Sequence, residues 1–137
     1  MKLLFDTNVV LDVILERRPH LLDAARLFTA CETGQAQALV GATTVTTVYY
    51  VVERSFGARR AFKALELLLQ SCQVAGVDGQ VLQSALALGF DDFEDAVIHQ
   101  AAIRAGCDGI VTRNNKDFQQ ATLPVYTPAE ACSLLNL

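Results

Sequence analysis

The sequence has no tryptophan, only three prolines and only four cysteines, and each shortage closes off a class of protein. Cys31, Cys72, Cys107 and Cys132 are widely spaced and form no C-x-x-C pair. Neither a disulfide framework nor a zinc site is expected; reduced thiols in a cytoplasmic protein, packed as small apolar residues, are. No Gly/Ser- or Pro-rich stretch could serve as a linker. Long apolar runs are missing too. Leu67–Leu69 and Val48–Val52 fall far short of a bilayer span, and Leu3-Leu4-Phe5 meets Asp6 before a signal-peptide core can form. The phosphate-cradling G-x-G-x-x-G and G-x-x-x-x-G-K-[ST] loops and the G-x-S-x-G elbow are absent. His20 and His99 stand far apart without metal-ligand spacing, so both are expected to be structural or surface residues.

What remains is a chain of 137 residues, 52% hydrophobic and 19% charged. That length fits one domain, residues 1–137, burying about two-thirds of the surface of its extended chain. The net charge of −4 argues against binding nucleic acid by bulk electrostatics. Its distribution says more. Arg54, Arg59, Arg60 and Lys63 cluster within ten residues, whereas Ala64 to Ile103 contains no Lys or Arg but holds Glu66, Asp78, Asp91, Asp92, Glu94 and Asp95. On charge alone, two ordinary solvated helix faces are the simpler reading.

The pattern of apolar residues and breakers sets the fold class. Lys2–Phe5 is a short buried strand ended by Asp-Thr-Asn, and Asn8–Leu15 a short helix. Pro19 suits a first helical turn, with Leu21, Leu22, Ala25, Leu27, Phe28 and Cys31 at helical spacing and Gly34 closing the helix. Gln37–Val40 reads as a strand, Thr46–Phe56 and Ala58–Ser71 as helices parted by Gly57, and Val74-Ala75 as a short strand. Asp78 caps a helix to Leu88, and Asp92 starts another that runs to Ala105. A strand at Asp108–Thr112, a polar loop at Arg113–Asp117, an edge strand at Leu123–Tyr126 and a helix from Thr127-Pro128 to Leu135 complete the chain. Strands alternating with helices predict an α/β fold, a three-layer α/β/α sandwich with a mainly parallel central sheet.

In such sheets ligands collect beyond the carboxyl ends of the strands. Asp6 follows the first strand, Thr112 to Asp117 follow the Ile110-Val111 strand, and Asp92 and Asp95 open the preceding helix. The topology can therefore gather Asp6, Asp95 and Asp117 at one edge. Crowded carboxylates repel and take raised pKa values, and a hard cation such as Mg²⁺ or Mn²⁺ relieves that repulsion. Each residue also has a plain structural reading. Asp6 can be a helix cap, Asp92 caps through a box-like D-x-x-D, and Asp117 sits in a turn-forming Asn-Asn-Lys-Asp. Only the convergence of three favours chemistry.

In their order these segments resemble a known family. Leu4-Phe5-Asp6-Thr7-Asn8-Val9-Val10-Leu11-Asp12 resembles the first motif of PIN domains, and Asp92-Phe93-Glu94-Asp95-Ala96-Val97 their central acidic motif. Ile110 to Phe118 resembles the third motif and Pro124 to Glu130 the closing strand and helix. The resemblance implies a metal-dependent endoribonuclease acting on single-stranded RNA, often the toxin of a VapC-type toxin–antitoxin pair, with an antitoxin protein and a second copy of the chain as partners. It assigns Asp6, Asp95 and Asp117 to Mg²⁺ or Mn²⁺, with Asn8, Asp92, Thr112 and Asn114 in support. Arg54, Arg59, Arg60 and Lys63 are the expected guides for RNA backbone, with Arg113 and Lys116 as phosphate contacts nearer the chemistry. One position departs. The family usually carries a Glu on the helix after the second strand, where this chain has Thr47. Glu53 is six residues further, about 600° of helix rotation, and leaves by another face. A catalytically silent module that binds RNA or protein is thus the rival. A haloacid-dehalogenase-like phosphatase also begins with an Asp after its first strand, but needs a second Asp where Asn8 stands.

Overall fold

Five apolar segments form one sheet, and the alternation of their side chains decides what packs on either side. In the computed structural model, which describes residues 1–137, these are β1 (Lys2–Phe5), β2 (Gln37–Gly41), β3 (Gln73–Ala75), β4 (Gly109–Val111) and β5 (Val125–Tyr126). They pair in the order β3-β2-β1-β4-β5, and every pair is parallel. Between them run α1 (Thr7–Ile14), α2 (Leu21–Glu32), α3 (Ala42–Phe56), α4 (Ala58–Ser71), α5 (Gly79–Leu86), α6 (Phe93–Arg104) and α7 (Pro128–Leu134). The fold is the expected α/β/α sandwich, and its sheet is wholly rather than mainly parallel.

Strand side chains alternate between the two faces. Leu3, Phe5, Val40 and Val111 point to the side covered by α1, α2, α3, α4 and α7, where Val9, Val10, Leu27, Val48 and Ala131 meet them. Leu4, Leu39 and Ile110 point to the other side, against Val81, Ala85, Val97, Ile98 and Ala102 of α5 and α6. Both faces are covered, which is why the strands read as unbroken apolar runs. Each fully buried Leu or Phe, such as Leu3, Phe5 and Leu27, contributes about 1.5–3 kcal/mol over its exposed state. The four thiols are free. Burial pushes those of Cys31 and Cys107 up to about 11 and that of Cys72 up to about 12.

Several boundaries differ from the sequence reading. The second helix begins at Leu21, so Pro19 lies in the turn before it, after a cis Arg18–Pro19 bond. α3 begins at Ala42, a turn earlier than Thr46. Three of its four threonines suit a helix here because their hydroxyls are occupied: Thr46 and Thr47 each donate to the Thr43 carbonyl, and Thr44 shares a 2.9 Å hydrogen bond with Thr7, while the buried Thr43 hydroxyl has no partner. α5 stops two residues before Leu88, and the loop after β4 winds into a 3-10 turn at Asn115–Phe118. β4 and β5 are shorter than expected at their ends.

The strand order carries the chain from β1 outwards to β2 and β3, then back across to β4. Successive connections therefore leave in opposite directions at β1 and β4, and a crevice opens beyond the carboxyl ends of those two strands.

Candidate active site

Asp6 occupies that crevice because β1 ends at Phe5 and α1 starts at Thr7. Its backbone N–H donates to Val111 O at 2.9 Å, which ties it to the end of β4. One carboxylate oxygen caps α1 by accepting from Thr7 N at 2.8 Å. The other accepts from Thr112 Oγ1 at 2.7 Å and from Asn8 Nδ2 at 3.3 Å. The Thr112 hydroxyl also accepts from Asn8 Nδ2 and from Asn114 N, at 3.3 and 3.1 Å, so its one donor and both acceptor sites are in use. Asp6 is thus both the cap that its local sequence suggests and an acid at the strand-order switch. It is 6% exposed, and burial raises its pKa; Asp117 and Asp92 raise it further, against the Thr112 and Thr7 hydrogen bonds.

Asp95 reaches the same crevice from α6. Asp92 is the cap of this helix and accepts from Asp95 N at 3.2 Å, as the D-x-x-D spacing implies. A carboxylate in the first turn of a helix is ordinarily favoured by the helix dipole. Here desolvation, followed by the charges of Asp6, Asp92, Asp117 and Glu94, pushes Asp95 up to about 7. Asp117 lies in the 3-10 turn with its N–H bonded to Asn114 O at 2.9 Å. The fold therefore brings Asp6, Asp92, Asp95 and Asp117 within reach of one another's charge. Glu94 belongs with them: burial raises its pKa first, then Asp92 and Asp6. Its place beside Asp95 in an acid-rich segment was the available signal for it.

No three Asp, Glu, His or Cys side chains stand close enough to clasp an ion unaided. The donors are all oxygen, and their charges repel one another. Such a set suits a hydrated hard cation that keeps several waters, Mg²⁺ or Mn²⁺, rather than a softer metal needing N or S ligands.

The remaining residues named from sequence are spread more widely. Thr47 is half-buried on α3, one turn beyond Thr44, and bonds to its own helix; Glu53 is exposed. Lys116 is exposed in the loop beside Asp117. Arg54 lies twelve residues past Ala42 at the start of α3, about 18 Å along the helix from the end next to Thr7. Arg59, Arg60 and Lys63 open α4 beyond it, and Arg60 and Lys63 border an apolar groove of about 680 Å³ that includes Val13, Phe28 and Phe56. The basic cluster is therefore at the far end of α3. Arg113, expected to meet phosphate, instead turns its guanidinium onto Asp12, with Nε to Oδ2 at 2.6 Å. Sequence reasoning gave Asp12 no role. The signal was an acid inside the otherwise apolar stretch Val9–Ile14. His99 is buried and structural: Nε2 accepts from Thr122 N at 3.0 Å, tying α6 to the loop that follows the 3-10 turn, and Phe90 packs on its ring.

Comparison with known proteins gives a consistent picture. The family described as "PIN domain" matches residues 2–116. The chain is similar to "Ribonuclease VapC1" of Aquifex aeolicus, 24% identical over 140 residues that cover 98% of this chain and 96% of that protein. Among solved structures, it resembles one in a toxin–antitoxin complex from Klebsiella pneumoniae at 25% identity and TM-score 0.67, covering 91% of this chain and 96% of that one. It also superposes, at TM-score 0.71 and 15% identity, on one in the Rickettsia felis VapBC2 complex bound to a promoter DNA fragment, covering 93% and 98% of the two chains.

Proposed function

This chain belongs to the PIN domain family, and we propose that it is a metal-dependent endoribonuclease that cleaves single-stranded RNA as the toxin of a toxin–antitoxin pair. The observation that carries this reading is the convergence of Asp6, Asp92, Asp95 and Asp117 at one sheet edge, where burial first and then the neighbouring charges push Asp95 up to about 7. Four oxygen-bearing acids with no cation among them are repulsive; with a cation they are a binding site. In this reading Asp6, Asp95 and Asp117 hold Mg²⁺ or Mn²⁺, and Asn8, Thr112 and Asn114 fix the Asp6 carboxylate and the loop around it. When bound, the cation supplies Lewis acidity toward phosphate and a water acidic enough to attack phosphorus. Asp92 holds the first turn of α6, and so Asp95, in place. Lys116, exposed next to Asp117, meets the RNA backbone near the chemistry, and Arg54, Arg59, Arg60 and Lys63 engage it further along.

The name of the Aquifex relative supports ribonuclease chemistry, and the complexes among the structural neighbours support an antitoxin partner. Residues 1–137 act as one unit in this reading, paired with a second copy; exposed Tyr50, Phe62 and Leu67 on α3 and α4 supply apolar surface for such contact. No helix is long and apolar enough to cross a membrane, and four free thiols suit the cytoplasm. One observation favours the silent-module alternative: Thr47 offers no carboxylate, and its hydroxyl is spent on Thr43 O at 3.1 Å.

The deciding experiment is cleavage of a single-stranded RNA in Mn²⁺ and in chelator, with Asp6→Asn alongside. Wild type should cleave only with metal, and Asp6→Asn not at all. The variant should melt within a few degrees of wild type, because Asn Oδ1 can still accept from Thr7 N. Cleavage in chelator, or a fully active Asp6→Asn, rules the mechanism out; a wild type inert on every RNA puts the silent module ahead.

A further inference from the structure

Asp12 is an acid in the middle of α1, flanked by Val9, Val10, Leu11, Val13 and Ile14, and it is completely buried. A carboxylate in that position needs a cation and hydrogen bonds, because burying it alone is far more costly than burying a neutral group. Arg113 supplies both. Its Nε and Nη2 donate to the two oxygens of Asp12 at 2.6 and 3.3 Å, the forked geometry that suits guanidinium and carboxylate. Arg17 is a more distant second cation, 4.0 Å away.

The contact joins distant parts of the chain, the first motif to the segment after β4, across 101 residues. Arg113 lies between Thr112, which donates to Asp6, and Asn114, whose N–H donates to Thr112 Oγ1. The backbone N–H of Arg113 itself donates to Asn8 Oδ1 at 3.3 Å. Asn8 and Asp12 are four residues apart, on one face of α1. Arg113 is therefore gripped by the same helix at two points, main chain and side chain, while the residues on either side of it serve the acidic edge. Releasing the guanidinium to a phosphate would leave Asp12 buried with only Arg17, 4.0 Å away, and without its two hydrogen bonds, which costs more than one solvated phosphate contact returns.

We propose that Asp12 and Arg113 are a positioning pair that sets the Thr112–Asp117 loop in register with Asp6. The proposal rests on the metal-site reading above for its consequence, but not for its geometry. The pair touches neither substrate nor metal; it acts through Thr112, Asn114 and Asp117.

The test separates positioning from mere stabilisation by removing the pair in two ways. Arg113→Met alone leaves Asp12 without its hydrogen-bonded cation, with only Arg17 at 4.0 Å, and should lower the melting temperature or prevent folding. Asp12→Leu with Arg113→Met replaces the pair by apolar side chains, a change that commonly restores stability. This double variant should melt near wild type, yet titrate with Mn²⁺ about tenfold or more weakly. Asp12→Asn with Arg113→Gln keeps a neutral hydrogen bond and should recover part of the Mn²⁺ affinity. In the metal-free apolar double variant, amide hydrogen exchange at Arg113, Asn114 and Asp117 should speed up about tenfold or more, while the amides of β1 and β2 keep their protection. An apolar double variant with wild-type Mn²⁺ affinity and wild-type exchange at those three amides overturns the proposal. So does a variant whose only defect is one unit less salt dependence in binding single-stranded RNA, the mark of a lost phosphate contact. If wild type binds no Mn²⁺, the ribonuclease reading fails, and the exchange measurement still decides the positioning role.

Discussion

At Thr47 the hydroxyl is turned back on the Thr43 carbonyl, so the side chain has nothing to offer a cation. Thr44, one turn earlier, touches Thr7 beside Asp6, and Thr47 follows it by three residues, about 60° off the same helical face. Restoring a carboxylate there with Thr47→Glu should tighten Mn²⁺ binding about tenfold, the scale of one added charge at a hard-cation site. Titration of the variant against wild type measures it; equal or weaker binding means that α3 presents another face to the acids. Residues whose roles follow from immediate neighbours are easily read. Asp6 after an apolar run and Asp92 three residues before Asp95 announce themselves as caps, and both are caps. Asp12 is opaque for the converse reason. The apolar stretch Val9–Ile14 marks it as an acid out of place, but the partner that makes its burial possible lies 101 residues away and has no local signature. The same long-range pairing turns Arg113 from the apparent surface cation of a polar loop into an inward-facing one.

Among the elements, strands were the most legible, because a sheet covered on both faces demands continuous apolar runs, and Leu3-Leu4-Phe5, Ala38-Leu39-Val40 and Ile110-Val111 supply them. The start of α3 was the least legible. Gly41 gives it no capping side chain, and four threonines within Thr43–Thr47 carry no helical preference of their own. What recruits them is tertiary: the Thr44–Thr7 hydrogen bond and the packing of Val48 and Val52 into the core. The glycine that opens β4 was equally silent in sequence. A Cβ at Gly109 would stand 2.8 Å from Tyr126 Cε2 and 3.2 Å from Pro124 O, so β5 can approach only a glycine. Gly109→Ala should cost about 1–3 kcal/mol, the range for overpacking a close contact. Chemical denaturation should show the loss as a lower midpoint with an unchanged slope; an unaltered midpoint would mean that Tyr126 simply swings away.

Over the whole molecule, the acids at the sheet edge make stability depend on pH in a direction opposite to the usual one for carboxylates. Asp95 ionises at about 7 in the folded, metal-free protein, against 3.8 for an unperturbed Asp. The fold thus favours its protonated form, and the resulting stabilisation is complete below pH 3.8 and is lost as pH rises through 7. Asp6 and Glu94, also raised, act in the same sense. His99 opposes them: burial lowers its pKa below 6.5, so the fold favours neutral imidazole, and that contribution is lost as pH falls. Metal-free wild type should therefore lose melting temperature as pH rises from about 4 to about 7 and level off above that, once Asp95 is ionised in both states. Asp95→Asn, which cannot ionise, should show a flatter profile and melt higher than wild type at pH 8. Mn²⁺ should reverse the wild-type trend, since the cation favours the ionised acid and its affinity falls with protonation. Scanning calorimetry of both proteins across this range, with and without Mn²⁺, tests the signs; a wild-type melting temperature that climbs with pH in the absence of metal contradicts them.

The central place of β1 also sets a timetable for the chain as it is made. Leu3 pairs with Ala38 on one side and with Gly109 on the other, so its second neighbour is translated 106 residues after it. At ordinary elongation rates that interval is roughly 5–20 s. Throughout it, Asp6 lacks Thr112, Asn114 and Asp117 to complete its surroundings. Under the proposed reading, in which Asp6, Asp95 and Asp117 act together, chemistry is withheld from the nascent chain until Asp117 has been added, and the spacing of the acids along the chain, with no inhibitor involved, sets the delay.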